Sequence, residues 1–307
     1  MMPAYAKKKH PEVEARTAAI AEFAAESALN RVERGTDDEI GIITSGTSYQ
    51  YVREVFGDSA SVLKLGIVNP LPEKLIRDFA DSVEKLYVVE ELDGIIENFC
   101  RAHGIEVAGG KDMFSPIGEF SQRTVAQAFG KALPDAVSAD SAVPVRPPMM
   151  CSGCPHRGLF YTLAKNKITV LGDIGCYTLG AQQPLNALDS TLCMGASVSG
   201  LHGFNKADGG ASAGKSVCVI GDSTFMHSGI TGLVNIAYND SPSTVIILDN
   251  SITGMTGHQQ NPTTGYNIKG DVASKVDLET LCHAVGIKRV RVVDPYDLKA
   301  CETAVKA

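Results

Sequence analysis

Two polar side chains, Asp222 and Asn250, each follow an apolar run of the sequence at the point where that run ends. The runs, residues 217–220 and 245–248, are short, rich in β-branched residues and bounded by turn residues, which is typical of buried parallel strands. Ligands of an open α/β sheet bind beyond the carboxyl ends of its strands. A carboxylate and an amide oxygen placed there can bind one hard divalent cation, and diphosphate oxygens can complete its octahedral coordination. The composition of residues 229–238 predicts the helix that connects the two strands.

Three cysteines form a second group that could bind a metal. Cys151 and Cys154 have the CxxC spacing that lets two thiolates converge on one ion or cluster. Cys176 follows a predicted strand at 168–171, in a glycine-rich turn at the same edge of the sheet. The spacing leaves three interpretations open. They are a [4Fe–4S] cluster, a zinc site with His156 as the fourth ligand, and a redox or structural pair without a metal.

Residues 209–216 have the letters of a phosphate-binding P-loop, GGASAGKS. A P-loop follows a strand and opens a helix, whose first N–H groups bind the phosphate. Here the segment runs directly into the predicted strand at 217–220, so no helix start is available. We therefore interpret it as a connection between a helix and a strand.

Strands alternate with helices along most of the chain. The predicted strands are 39–44, 62–68, 86–89, 168–171, 217–220, 245–248 and 289–293. This alternation predicts right-handed βαβ units and an α/β fold of two domains with parallel sheets. We expect a helical segment at residues 1–34, a first domain at 35–132, a proline-rich linker at 133–150 and a second domain at 151–307.

Composition restricts the function further. A chain of 307 residues with 44% hydrophobic residues has ample material for two cores. The net charge of −7, without an arginine-rich stripe, argues against binding of nucleic acid. No stretch reaches the ~20 apolar residues of a membrane span, and the amino terminus lacks the apolar core of a targeting signal. We therefore expect a cytoplasmic protein without membrane contact.

Eight cysteines without a signal peptide indicate a reducing compartment rather than disulfides. Four of them lie in apolar patterns and are predicted to be small core residues: Cys193, Cys218, Cys282 and Cys301.

Four segments together carry a resemblance to one family. They read CSGCPHR at 151–157, GDIGCYTLG at 172–180, GDSTFMHSG at 221–229 and IILDNSITGMTGHQ at 246–259. The chain resembles the large (α) subunit of indolepyruvate ferredoxin oxidoreductases over about residues 3–297. This resemblance implies a first domain like the carboxyl-terminal domain of transketolase-type enzymes and a second with their thiamine diphosphate-binding fold. It also implies a pyrimidine-binding domain before residue 1 and ferredoxin-like modules after residue 307, so we expect an internal fragment.

The resemblance also implies roles at the metal-diphosphate motif, which opens at Gly221. Asp222 and Asn250 would bind Mg²⁺ through their side chains, and Ile252 would bind it through its backbone carbonyl.

Other residues would contact the rest of the cofactor and the substrate. Ser223 and Thr224 would offer N–H and hydroxyl groups to the phosphates near a helix start. Thr253 and Met255 belong to the following loop, and Met255 either holds the cofactor in a bent conformation or is an ordinary core methionine. His227 either contacts the substrate carboxylate or donates a proton, or it is a structural histidine.

For the cysteines, the resemblance implies a [4Fe–4S] cluster on Cys151, Cys154 and Cys176. The fourth ligand would lie beyond residue 307, or be Cys282 or Cys301.

The implied activity is the oxidative decarboxylation of an aryl 2-oxoacid such as indolepyruvate. Coenzyme A would accept the acyl group, ferredoxin would accept the electrons, and a smaller β subunit would be the partner. Two alternatives stay open: a non-oxidative thiamine diphosphate-dependent 2-oxoacid decarboxylase, and a cofactor-binding module that is inactive without partner domains. Glu90 and Glu91 lie in the first domain, so neither is assigned to activation of the cofactor, and the chain alone is expected to be inactive.

Overall fold

The computed structural model describes residues 2–133 and 143–307. The chain divides into two compact units, one on each side of the gap between these ranges. Most of the linker predicted at 133–150 lies in that gap, outside the described residues, and residues 143–150 form neither helix nor strand.

The first unit combines four strands with five helices. Its strands are β1 (Arg31–Glu33), β2 (Ile40–Ser45), β3 (Ser61–Leu65) and β4 (Lys85–Val89), and its helices are α1 (Pro3–Glu26), α2 (Ser48–Phe56), α3 (Glu73–Ala80), α4 (Ile95–Ala102) and α5 (Gln122–Ala128). The strand order is β1-β3-β2-β4. β2 is parallel to both β3 and β4, whereas β1 is antiparallel to β3.

Helices cover both faces of this sheet because successive residues of a strand point to opposite sides. Ile43 packs in one core with α3 and α4. Its neighbour Ile42 packs in the other core with α2 and α5.

The predicted helical segment at 1–34 is wrong at its carboxyl end, because Arg31–Glu33 forms β1. α1 instead ends at Glu26. The buried side chain of Asn30 fixes the turn between the two elements, since it accepts hydrogen bonds from the N–H groups of Gly66 and Ile67 beyond β3. The tertiary contact to β3 therefore overrides the local helical composition.

The second unit has an all-parallel sheet. Its strands are β5 (Thr169–Gly172), β6 (Ser190–Thr191), β7 (Ser216–Gly221) and β8 (Thr244–Leu248), in the order β6-β5-β7-β8. Its helices are α6 (His156–Lys165), α7 (Ala196–Ala207), α8 (Asp222–Thr224), α9 (Ile230–Tyr238), α10 (Leu278–Ala284) and α11 (Leu298–Lys306). A 3₁₀ turn spans Cys176–Ala181, and a π-helical turn at Phe225–Gly229 joins α8 to α9.

The central strand β7 is buried along its entire length, as expected for a strand covered on both faces. Val219 packs against the core under α6, and the adjacent Ile220 packs against the core under α7 and α9. The α/β fold with parallel sheets that the sequence predicts is thus confirmed.

The strand predicted at 289–293 is wrong. No strand forms there, and Val292 is exposed. The β-branched composition of this segment fits a strand, but the described structure provides no neighbouring strand to complete its hydrogen bonds.

The segment with P-loop letters, residues 209–216, connects a helix to a strand as predicted. Residues 209–214 form turns, and β7 begins at Ser216. The N–H groups of Gly210 and Ser212 donate to the carboxylate of Asp208, so the loop satisfies them itself. Across the described ranges, no helix is long and apolar enough to span a membrane.

Candidate cofactor-binding site

The predicted metal ligands lie at one edge of the second sheet. β7 and β8 are parallel neighbours, and Gly221 pairs with Leu248 at their carboxyl ends. Asp222 follows the first strand directly, and Asn250 stands two residues after the second. A Cβ atom at Gly221 would lie 2.6 Å from Cε1 of Tyr177, so this position requires glycine.

Asp222 is a buried carboxylate with one oxygen held in place. Its side chain belongs to a residue that is only 2% exposed. Oδ2 accepts hydrogen bonds from Thr263 Oγ1 at 2.8 Å and from Asn261 Nδ2 at 3.2 Å. Among the described residues, Oδ1 has no hydrogen-bond partner. A buried anion that is oriented through one oxygen and free at the other suits a hard divalent cation.

Asn261 and Thr263 are site residues that the sequence analysis missed. Both are buried, and the N–H of Thr263 donates to Asn261 Oδ1. The Thr263 hydroxyl also lies 2.7 Å from Asn261 Oδ1, so its single proton is shared between this oxygen and Asp222 Oδ2. They belong to the long loop after β8, which returns to Asp222. The turn-forming sequence Asn-Pro-Thr-Thr-Gly at 261–265 was the available signal, but a turn alone does not reveal what its side chains contact.

The loop after β8 also brings Asn250 and Thr253 to the site. The exposed Asn250 accepts a hydrogen bond from the N–H of Ile252 at 3.2 Å, which bends the chain. Thr253 Oγ1 donates to Ser223 Oγ at 2.8 Å and so connects this loop to the start of α8. The predicted ligands of the metal and diphosphate therefore occupy adjoining elements.

Helix α8 begins at Asp222, so the first N–H groups of Ser223 and Thr224 lack intrahelical acceptors. The hydroxyl of Thr224 donates to the carbonyl of Ile174 at 3.0 Å. Tyr177 donates to the same carbonyl at 2.8 Å, and burial raises the pKa of Tyr177 to about 12, so it stays protonated. Because the Thr224 hydroxyl is engaged in this way, its backbone N–H is the better candidate for a phosphate contact.

A second buried carboxylate, Asp173, organises the turn after β5. It is fully buried and accepts N–H hydrogen bonds from Ile174, Gly195 and Ser197. These bonds join the end of β5 to the start of α7, where the helix dipole also favours an anion. They fix the position of the Ile174 carbonyl, to which Thr224 and Tyr177 bind.

His156, considered above only as a zinc ligand, is buried at the start of α6. Burial lowers the pKa of His156, and the carboxylates of Asp222 and Asp249 act in the opposite direction. The imidazole is therefore close enough to sense the charge of the candidate metal site.

The three cysteines of the CxxC group are near one another. Burial raises the pKa of Cys176, and the Cys151 and Cys154 thiols raise it further. Cys176 Sγ lies 3.5 Å from where a Cβ atom on Gly254 would stand. Within residues 2–133 and 143–307, however, no three His, Cys, Asp or Glu side chains are arranged as a metal-binding group. The sulfur donors suit an iron–sulfur cluster in type, but in this arrangement they do not form a ligand set.

Of the four cysteines predicted to be core residues, three are buried and one is exposed. Cys218, Cys282 and Cys301 are buried, as the apolar patterns predict, whereas Cys193 is exposed and the prediction of a core position is wrong for it. Cys193 lies in the turn between β6 and α7, where the neighbouring Leu192 and Met194 are exposed as well. The apolar pattern at this turn therefore does not mark a core.

His227 and Met255 are both at the surface. His227 lies in the π-helical turn, and its only hydrogen bond among the described residues joins Nδ1 to Ser228 Oγ. Met255 is 51% exposed in the loop after β8, so it is not a core methionine here. A π-helical turn inside a helix is frequent at functional sites. Their predicted roles toward substrate and cofactor stay predictions.

Residues 173–307 match the family model of the thiamine pyrophosphate enzymes' C-terminal, TPP-binding domain. The chain is 38% identical to the indolepyruvate oxidoreductase subunit IorA of Archaeoglobus fulgidus, over 97% of this chain and 51% of that protein. It is 36% identical to the same subunit of Thermococcus kodakarensis, over 99% of this chain and 52% of that protein. The chain thus spans about half the length of the curated relatives it matches.

Among solved structures, a 2-oxoglutarate:ferredoxin oxidoreductase from Magnetococcus marinus aligns with 20% identity and a TM-score of 0.44, over 54% of this chain and 60% of that one. This likeness is too weak to support any statement about the site. The resemblance predicted from the four motifs is nevertheless confirmed by the sequence relatives. Residues 173–307 match the thiamine pyrophosphate enzyme C-terminal domain, and nearly the whole chain is similar to part of the IorA subunit of indolepyruvate oxidoreductases.

Proposed function

We propose that this chain is the part of a thiamine diphosphate-dependent 2-oxoacid oxidoreductase that binds the diphosphate of the cofactor through a divalent cation. The observation that carries the proposal is the buried Asp222, held through Oδ2 by Thr263 and Asn261 at the carboxyl edge of the sheet. Its position at the start of α8 places the cation ligand beside N–H groups that favour an anion.

Each predicted residue has a task in this proposal. Asp222, Asn250 and the carbonyl of Ile252 bind Mg²⁺, while the N–H groups of Ser223 and Thr224 bind phosphate oxygens. The neighbouring Gly221 provides the room that Tyr177 occupies. These groups neutralise and orient the diphosphate; they perform no bond cleavage themselves.

Two surface residues complete the proposed site. The exposed Met255 would hold the cofactor in a bent conformation through its apolar side chain. His227, which is also exposed, binds the substrate carboxylate or donates a proton to the substrate. Thiamine diphosphate, when bound, supplies the electron sink that a 2-oxoacid needs to lose carbon dioxide.

The fuller activity that we propose is the oxidative decarboxylation of an aryl 2-oxoacid such as indolepyruvate to an acyl-coenzyme A. The electron acceptor would be ferredoxin, and a smaller β subunit would complete the enzyme. This proposal is supported by the 33–38% identity to IorA subunits. Since the chain spans about half of those proteins, we expect the chain alone to bind the cofactor without turning over.

The direct test is calorimetric titration of thiamine diphosphate into the chain and two variants in the presence of Mg²⁺. Asp222→Asn removes a negative ligand, so the affinity should fall by more than about tenfold. Asp240→Asn is the matched control, because Asp240 follows α9 and its φ of +46° is well tolerated by asparagine. An unchanged affinity in Asp222→Asn, or an equal loss in both variants, would reject the assignment.

The cysteine group needs its own test, because its thiols suit a cluster in type but are not arranged as a ligand set among the described residues. We propose the [4Fe–4S] cluster, supported by the proximity of Cys151, Cys154 and Cys176. After anaerobic reconstitution, Cys154→Ser should lower the bound iron and sulfide, and Cys193→Ser, at an exposed control position, should not. Stoichiometric zinc without iron would instead support the zinc site.

A further inference from the structure

The first unit contains a cavity of about 510 Å³ to which the proposed function assigns no role. It is lined by residues 45–48, which are the last residue of β2 and the three that follow it. Some residues of 68–71 after β3 and of 90–96 after β4 complete the lining. All three segments follow the carboxyl ends of parallel strands. Ligands of open α/β sheets bind at this edge.

The cavity also lies where the connections of the sheet change side. The chain leaves β2 toward α2, whose Val52 and Phe56 cover one face of the sheet. The chain leaves β4 toward α4, whose Ile96 and Cys100 cover the opposite face. Neighbouring strands whose connections diverge in this way leave a crevice between them, and this crevice is the usual ligand position of the fold.

One wall of the cavity is the start of α2, which can bind a negative oxygen. Thr47, the N-cap residue, makes no side-chain capping bond, so the first N–H groups of the helix are not capped. Ser48 lines the cavity and is only 3% exposed. Its hydroxyl has no hydrogen-bond partner within the part of the chain that the structure describes. The fold therefore leaves this hydroxyl unpaired at the cavity wall, where a ligand oxygen can accept its hydrogen bond.

The opposite wall is acidic. It carries Glu90, Glu91 and Asp93, and no Lys, Arg or His is among the lining residues. Lys111 lies behind this wall, where its Nζ donates to the carbonyl of Glu90, so one positive charge offsets part of the three negative ones. The structure already uses two of these carboxylates. Glu90 accepts the N–H groups of Ile96 and Glu97, and Glu91 accepts that of Phe120.

Asp93, by contrast, is exposed, and among the described residues its carboxylate has no partner. Three carboxylates would repel a phosphate or a dicarboxylate, but they suit an ammonium group. Leu71 and Ile96 supply apolar surface between the two walls.

We propose that this cavity binds a free α-amino acid with an apolar or aromatic side chain. Its carboxylate contacts Ser48 and the first N–H groups of α2, and its ammonium group contacts Asp93 and Glu91. Its side chain packs against Leu71 and Ile96. It shares no residue with the proposed cofactor site, and it does not depend on the proposed function.

The test uses three ligands that differ by one charged group: L-phenylalanine, phenylpyruvate, which lacks the ammonium group, and 2-phenylethylamine, which lacks the carboxylate. Each is titrated into the chain by calorimetry without thiamine diphosphate. L-phenylalanine should bind, and each of the other two should bind at least about tenfold more weakly, because each loses a charge-assisted contact.

Two variants locate the binding. Asp93→Asn removes a carboxylate that makes no structural hydrogen bond, so folding should be unaffected and the affinity for L-phenylalanine should fall about tenfold. Asp81→Asn is the matched control, because Asp81 is an exposed acid at the end of α3, outside the cavity. Absence of L-phenylalanine binding at millimolar concentration, equal binding of the three ligands, or equal affinity in Asp93→Asn and Asp81→Asn would overturn the proposal.

Discussion

Thr263→Val tests whether Asp222 is positioned by the loop that returns from β8. Thr263 is fully buried, and its Oγ1 lies 2.8 Å from Asp222 Oδ2. Valine has nearly the same shape, so the substitution removes the hydroxyl without leaving a cavity. A hydrogen bond to a buried charged group contributes about 1.5–3 kcal/mol. Asn261 still donates to the same oxygen, so we expect a loss of about 1.5 kcal/mol in the free energy of unfolding.

The assay is urea denaturation of the chain without cofactor, followed by circular dichroism. The same substitution is then made in an Asp222→Ala background, where the Thr263 hydroxyl has only the neutral Asn261 Oδ1 left as an acceptor. The cost of Thr263→Val should be smaller there by at least about 1 kcal/mol. Thr264→Val is the control, since its hydroxyl donates to the Asn261 carbonyl and does not contact Asp222. An identical cost of Thr263→Val in both backgrounds would refute the reasoning.

Three further predictions concern packing, thiol chemistry and catalysis. Gly221→Ala should lower the free energy of unfolding by about 1–3 kcal/mol, because the new Cβ would clash with Tyr177. The control Gly203→Ala, in open space on α7, should raise the free energy of unfolding by about 0.5–1 kcal/mol. Equal effects of the two substitutions in urea denaturation would contradict the packing described. Burial raises the pKa of Cys100 to about 11, so at pH 8 only roughly one molecule in a thousand carries the thiolate, and mass spectrometry after alkylation should find the exposed Cys151 modified first. Proton exchange at the thiazolium carbon, followed by NMR, should be no faster with this chain than for free thiamine diphosphate, and faster exchange would show that the chain activates the cofactor alone.

Most parallel strands of both units were predictable because their sequences have a local signal; the two-residue strand β6 has none and was not predicted. β7 and β8 are short and β-branched, and their boundaries in the structure differ by one residue or less from the prediction. β7 is also buried along its whole length as predicted, whereas Leu248 is the only buried residue of β8. β1 had no such signal. It has only three residues, and it exists because Arg31–Glu33 pairs with β3, a contact that lies outside any local window.

Residues 289–293 show the opposite case. Their composition is as favourable for a strand as that of β8, but no adjacent strand completes their hydrogen bonds, and the segment stays irregular. β-propensity describes how well a side chain fits a half-buried sheet, so it cannot predict whether a partner strand is present.

The residues of the candidate site also differ in whether the local sequence could predict them. Asp222 and Asn250 could be predicted because each directly follows a strand, and parallel strands end at one edge. Asn261 and Thr263 could not, because they reach Asp222 only through the fold of the long loop after β8. Cys193 was misassigned because an apolar neighbourhood in the sequence does not establish burial in a turn.

The measurement that tests the account most directly is the dependence of cofactor binding on a divalent cation. Thiamine diphosphate is titrated into the chain by calorimetry, once with Mg²⁺ and once with a chelator that removes it. We expect binding with Mg²⁺ and at least about a tenfold loss of affinity without it, because Asp222 and the diphosphate are both negative and would repel each other without a cation. Equal affinity with Mg²⁺ and with the chelator would show that Asp222 and Asn250 do not form a metal-diphosphate site.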